Sequence, residues 1–217
     1  MDEKDRGPGR DSRCSFRDQP GVYAPAMAHA LSWDRISIAT ARLCLRTPTP
    51  KDAPAIHELF ADAVVMRGLN KDPVSDLDGT RAIIDGGRNG WRSDGVGPFI
   101  LETAADHRAV GWAGVMIFDT RGWTPSSWTS AGLHAQPELG WALMRTHWAL
   151  GYASEAAAAI REWAYEYRPI DQLVSLISPA NVRSQGVARR IGAIPTETIT
   201  PAHTMEETVG WRHLPAA

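Results

Sequence analysis

Cysteine is nearly absent from this chain: Cys14 and Cys44 are the only two in 217 residues. One falls in a polar leader and the other in a strand-like stretch, which predicts no structural disulfide and a reducing, cytoplasmic setting. No Cys/His spacing of a metal site occurs, and the seven histidines show no pair at helical ligand spacing, so no metal is expected. No apolar run approaches the roughly 20 residues of a membrane helix. The opening Met1-Asp2-Glu3-Lys4-Asp5-Arg6 lacks the apolar core of a signal peptide. An excess of charge of one sign is missing too. The formal net charge of −2 argues against nucleic acid or an anionic membrane as partner, while leaving room for a small basic patch around an anionic cofactor.

What is present suits one well-buried core, with 43% hydrophobic and 22% charged residues. Residues 1–30, rich in Gly, Pro, Ser and charge, read as a disordered N-terminal tail, with Met27 an alternative start. Residues 31–217 read as a single domain. Leu43 and Leu45 alternate with Arg42, Cys44 and Arg46 as a half-buried strand. A helix follows at 50–67, with Ile56, Leu59, Phe60 and Ala63 on one stripe, and a second at 77–91. Residues 99–102 and 109–118 read as an antiparallel hairpin, and 119–136 as a long connection of the kind that often carries function. Strand 138–143, helix 151–167, strand 172–177, helix 181–191 and one or two final strands complete the order. Strands that meander first and then alternate with helices predict an α/β (α+β) fold, with a mixed central sheet of six to seven strands and helices on both faces.

The junction between strand 138–143 and helix 151–167 is the informative one. A helix N-terminus offers unpaired N–H groups and the positive end of its dipole to an anion. Ala149, Gly151, Ala153 and Ser154 keep the turn small, and Gly151 is free to take a positive φ. No phosphate-loop lysine and no Gly-x-Gly-x-x-Gly fingerprint is present, which suits a pyrophosphate held by backbone and disfavours a dinucleotide dehydrogenase. A glycine kept for packing alone is the competing reading.

Four segments in order resemble the GNAT superfamily of N-acetyltransferases, and most of all its ribosomal-protein-alanine N-acetyltransferase branch. They are Glu138-Leu139-Gly140-Trp141-Ala142-Leu143, Trp148-Ala149-Leu150-Gly151-Tyr152-Ala153, Asn181-Val182-Arg183-Ser184 and Ile191-Gly192-Ala193. The resemblance spans about residues 38–213 and implies a single GNAT-like domain that uses acetyl-CoA as cosubstrate and a primary amine as acceptor. Ala149 departs from the glycine usual at its position. In such proteins acetyl-CoA wedges between two splayed parallel strands, here 138–144 and 172–177. The implied roles are pantetheine pairing for the backbone of Leu143, Met144 and Arg145, and pyrophosphate binding for Trp148, Ala149, Leu150, Gly151, Tyr152 and Ala153. Asn181 and Ser184 are implied to contact the pantetheine arm, although Asn181 is also a natural helix cap.

Glu138 is the candidate base, or a group that binds the acceptor amine; a solvent-facing strand glutamate is the alternative. His134 is a second candidate. Trp123, Trp128 and His134, in or beside the long connection, are candidate acceptor contacts, or pack the loop onto the sheet. Many relatives place a tyrosine where Ala188 stands, so no general acid is assigned. That gap keeps a non-catalytic acyl-CoA-binding regulatory module open as the alternative function. The tryptophans also admit a homodimer.

Overall fold

The computed structural model describes residues 33–202 and 204–215; the expected tail and the Met27 start lie outside them. Strands β1 (Ser37–Ala39), β2 (Leu43–Arg46), β3 (Pro98–Thr103) and β4 (Ala109–Asp119) form an antiparallel meander. Strand β5 (Thr124–Pro125) hangs from the end of β4. Beyond β4 lies β6 (Ala135–Leu143), antiparallel to it, then β7 (Leu173–Ile177), parallel to β6. The sheet ends with β9 (Thr208–His213) and β8 (Ile194–Ile199) at the edge. The described residues thus form a nine-stranded mixed sheet, more than the six to seven expected. The surplus includes β1 and β5, too short to show an alternation in sequence.

Helices cover both faces. On one side α5 (Tyr152–Tyr167) and α6 (Val182–Arg190) pack on Leu139, Leu143 and Leu173 and on Ile177 and Trp211. The expected α5 stripe of Tyr152, Ala156, Ile160 and Trp163 faces this core. On the other side α1 (Ala53–Ala61), α2 (Ala63–Gly68) and α3 (Leu77–Asp94) pack on Ile100 and Ala142. Helix α3 reaches both cores, with Ile84 in one and Trp91 in the other. Trp91 stacks edge-on to Phe99 at 4.8 Å and lies 5.6 Å from Trp163, which fastens α3 to α5. A single turn, α4 (Trp128–Ala131), forms within the long connection.

The single helix expected at 50–67 is broken. Asp62 takes an extended conformation and its carboxylate accepts the N–H groups of Val64 and Val65, capping a new helix. That restart rotates the stripe: Val65 and Met66 are buried, whereas Ala63 is exposed. Cys44, buried on β2, is disulfide-bonded, which departs from the expectation; its partner lies outside the described residues. All nine tryptophans are buried or half-buried, which removes the ground on which they admitted a homodimer.

Candidate active site

Strand alternation sorts the side chains of β6. Leu139, Trp141 and Leu143 point toward α5 and α6, so Glu138, Gly140 and Ala142 point to the face of α1 to α3. Strands β6 and β7 pair only at Glu138 and Val174. Downstream each keeps its outer partner, β6 through Leu143 opposite Gly111 and β7 through Ile177 opposite Val209. The two strands therefore part toward their C-terminal ends and leave a cleft. At the parting point the Ser175 hydroxyl donates to the Leu139 carbonyl, in place of a ladder bond. Ser175 is held in turn by His213 Nε2 at 2.8 Å. Burial pushes His213 down to about 4, so its ring is neutral at pH 7.

The backbone groups that face the cleft follow from one bond. Met144 N–H donates to Val110 O on the β4 side at 3.0 Å. Alternate residues Leu139, Trp141 and Leu143 must then direct their N–H and C=O toward β7. Of the three residues expected to pair with pantetheine, Leu143 keeps that direction, and its carbonyl accepts Trp148 Nε1 at 2.8 Å. Met144 turns away, and Arg145 starts a tight turn whose carbonyl accepts Trp148 N–H. Trp141 is the cleft-facing residue that the sequence reading missed.

The turn into α5 contains two left-handed residues, Ala149 at φ 61° and Gly151 at φ 82°. Gly151 caps α5, and a Cβ there would also lie 3.2 Å from the Arg42 guanidinium. Arg42 donates to Leu150 O at 2.8 Å and pairs with Glu155, tying the helix start to β2. The first-turn N–H groups of α5 remain directed out of the helix, as at any helix start. Trp148 packs against both cores beneath the Arg183 guanidinium at 4.7 Å, and the Tyr152 ring lies under Arg42 at 4.9 Å. Small residues, backbone donors and nearby arginines fit a pyrophosphate.

Helix α2 spans the mouth of the cleft. Asp62, at its start, receives Arg145 Nε from the end of β6 at 2.6 Å. Gly68, at its end, receives Asn181 Nδ2 from the start of α6 at 2.9 Å. Asn181 Oδ1 accepts Ser184 N–H at 3.1 Å, so the asparagine both caps α6 and anchors α2.

Glu138 sits where the strands part. Its residue is 7% exposed, and Oε1 accepts Leu176 N–H across the gap at 3.3 Å. The carboxylate lies over Gly140, where a Cβ would come within 3.2 Å of Oε2. Burial pushes the carboxyl up to about 7, against the Leu176 N–H and the Lys71 charge, which favour ionisation. A solvent-facing strand glutamate is therefore excluded.

On the same face a cavity of about 400 Å³ is lined by Trp123, Gln136, Val174, Leu176, Gly210 and Arg212, among others. Trp123 thus lines a cavity beside Glu138. Trp128 does not: its backbone N–H and indole N–H donate to Asp94 at 2.9 and 3.1 Å, fastening the connection to α3. The exposed His134 lines neither this cavity nor the smaller one beside Trp128. Arg212 and Lys71 escaped the sequence reading because a single basic residue in a strand or loop carries no spacing signal.

A cleft between parting parallel strands, a turn that fits an anion and a buried carboxylate together suit an acyl-CoA-dependent transferase. The acetyltransferase (GNAT) domain model matches residues 42–194. The chain belongs to this family: it is an N-acetyltransferase with acetyl-CoA as cosubstrate. It is similar to an acetyltransferase from Agrobacterium tumefaciens str. C58, with TM-score 0.67 and 28% identity over 86% of this chain and 98% of that one. It is 26% identical to the uncharacterised N-acetyltransferase YnaD of Bacillus subtilis (strain 168), over 71% of this chain and 81% of that one. RimL, a ribosomal L7/L12 α-N-protein acetyltransferase in complex with coenzyme A, shares the fold, with TM-score 0.67 and 16% identity over 83% of this chain and 98% of RimL.

Proposed function

We propose that this chain moves an acetyl group from acetyl-CoA onto a primary amine by direct attack within a ternary complex, with Glu138 as the base. The observation that carries the reading is the burial of the Glu138 carboxyl at the point where β6 and β7 part, a burial that pushes it up to about 7. Bound acetyl-CoA supplies an activated thioester carbonyl. The cleft-facing backbone of Trp141 and Leu143 pairs with its pantetheine arm, and a β6 N–H polarises the carbonyl. The pyrophosphate rests on the turn from Trp148 to Ala153.

The acceptor must reach the thioester with a free lone pair. An α-amine, with pKa near 7.8, is partly neutral at pH 7, whereas a lysine amine near 10.4 is almost wholly charged. Glu138 at about 7 is matched within about a unit to an α-amine. This favours a peptide or protein N-terminus, or a small molecule with an α-amine. The amine nitrogen bonds to the carbonyl carbon, its proton passes to Glu138, and the carbon–sulfur bond breaks. Ala188, where many relatives place tyrosine, is a fully buried methyl, so that position offers no phenol to protonate the thiolate. With a thiol pKa near 8.5, that thiolate is a tolerable leaving group.

The test is Glu138→Gln. The expected result is a fall in kcat/KM of about a hundredfold, within the usual range for a general base, with acetyl-CoA KM within twofold of wild type. The rise of kcat/KM through pH 7 should vanish. Unchanged turnover across pH 6–9 removes Glu138 from the mechanism. Tight acetyl-CoA binding with no thiol release on any amine would overturn the primary amine as acceptor.

A further inference from the structure

The cavity beside Glu138 has a charge pattern that bears on the acceptor. Glu138 is in register with Val174, and Val174 with Arg212. Directly registered residues project to the same face, so an acid, an apolar residue and a base stand in one row across β6, β7 and β9. Two strand spacings put the Cα atoms of Glu138 and Arg212 about 10 Å apart. Val174, Leu176 and Arg212 line the cavity, so Arg212 closes the row that Glu138 opens. Arg212 is exposed, and no described carboxylate forms an ion pair with it. Gly210, next to it on the same face, keeps the floor low: a Cβ there would fall 2.6 Å from Thr196 Oγ1.

The balance of charge excludes one class of acceptor. A site for polycationic amines needs surplus acid. Of the charged residues that line the cavity, Glu197 is matched by Arg212, and Glu138, in register with the lining residue Val174, feels the charge of Lys71. An ammonium at one end and an anion at the other complement such a row.

Taking the amine-acetylation reading as its base, we propose that the acceptor is a small amine carrying its own carboxylate, a dipeptide-sized amino acid, whose amine meets Glu138 while its carboxylate pairs with Arg212. An extended chain spans at most about 3.6 Å per residue, so two residues bridge the gap left between the two side chains. A charge-assisted pair with a guanidinium is stronger than a neutral hydrogen bond, and the free acid should exceed its amide in affinity by about tenfold or more.

The test titrates the CoA-loaded protein calorimetrically with glycine, diglycine and triglycine, each as free acid and as C-terminal amide. Wild type should bind diglycine at least tenfold more tightly than its amide. Arg212→Gln should shrink that ratio below threefold and leave CoA affinity unchanged. Equal binding of acid and amide, a preference that survives Arg212→Gln, or no measurable binding of any free acid overturns the proposal. Thiol release from acetyl-CoA, followed on the same compounds, separates the two levels. Preferential binding of the acids without thiol release sinks acetyl transfer and keeps the anion site; thiol release equal for acids and amides does the reverse.

Discussion

Ala149 carries a side chain through a backbone region that disfavours one. Its φ of 61° costs an L-residue other than glycine about 1–2 kcal/mol. Relatives with glycine at this position avoid that cost, and here the strain sits inside the cofactor turn. Ala149→Gly should raise stability by about 1 kcal/mol, after part of the relief is lost to the greater freedom of glycine in the unfolded chain. For a domain of this size that is a rise in Tm of about 2–4 °C by calorimetry. A fall in Tm would mean that the methyl packs better than the dihedral suggests. Glu138 was legible as a candidate because it alternates with the small residues Gly140 and Ala142. Its burial was not, because that depends on Leu176 and Met116, residues distant in sequence.

Helix α2 shows what element-level reading misses and why. The 50–67 stretch has one apolar period, yet Asp62 divides it, since a single capping residue outcompetes continuation when the following turn has buried positions to fill. The result is a short strut whose ends are pinned to opposite walls of the cleft, by Arg145 through Asp62 and by Asn181 through Gly68. Both pins join residues far apart in sequence, so no local pattern announces them. Asn181 can be separated into its two roles. Asn181→Ala loses the α6 cap and should cost about 1 kcal/mol, whereas Asn181→Asp keeps an equivalent cap. Only the amide N–H is lost in both. If that N–H serves the cofactor, acetyl-CoA affinity drops about tenfold in each variant by titration. Wild-type affinity in Asn181→Asp would mean that the amide N–H serves Gly68 and not the cofactor.

At the scale of the whole molecule, two buried groups on opposite faces of the sheet set opposing responses to pH. Glu138 is raised from 4.5 to about 7, so between those values the folded state holds a proton that the unfolded state has released. Its contribution is full below pH 4.5 and is lost as pH rises through 7. His213 is lowered from 6.5 to about 4, so over much of the same range the unfolded state holds the extra proton. Its contribution is full above pH 6.5 and is lost as pH falls through 4. Between pH 4.5 and 6.5 the two proton balances cancel, and these residues leave stability flat. The lowered aspartates, such as Asp52 and Asp62, act mainly below 3.8, and the lowered Glu155 from about 4.5 downward, so these carboxyls bear on the acid edge of the window and not on its middle. Removing either group unmasks the other. Glu138→Gln should lose stability on acidification from pH 6.5 to 4.5 by about 1.4 kcal/mol per pH unit, the slope of one proton. His213→Gln should slope the other way, losing stability as pH rises. Urea midpoints at pH 4.5, 5.5 and 6.5 measure both. Parallel profiles for the two variants would mean that at least one of these side chains titrates as it would in water, which for Glu138 would also withdraw the near-neutral base from the chemistry.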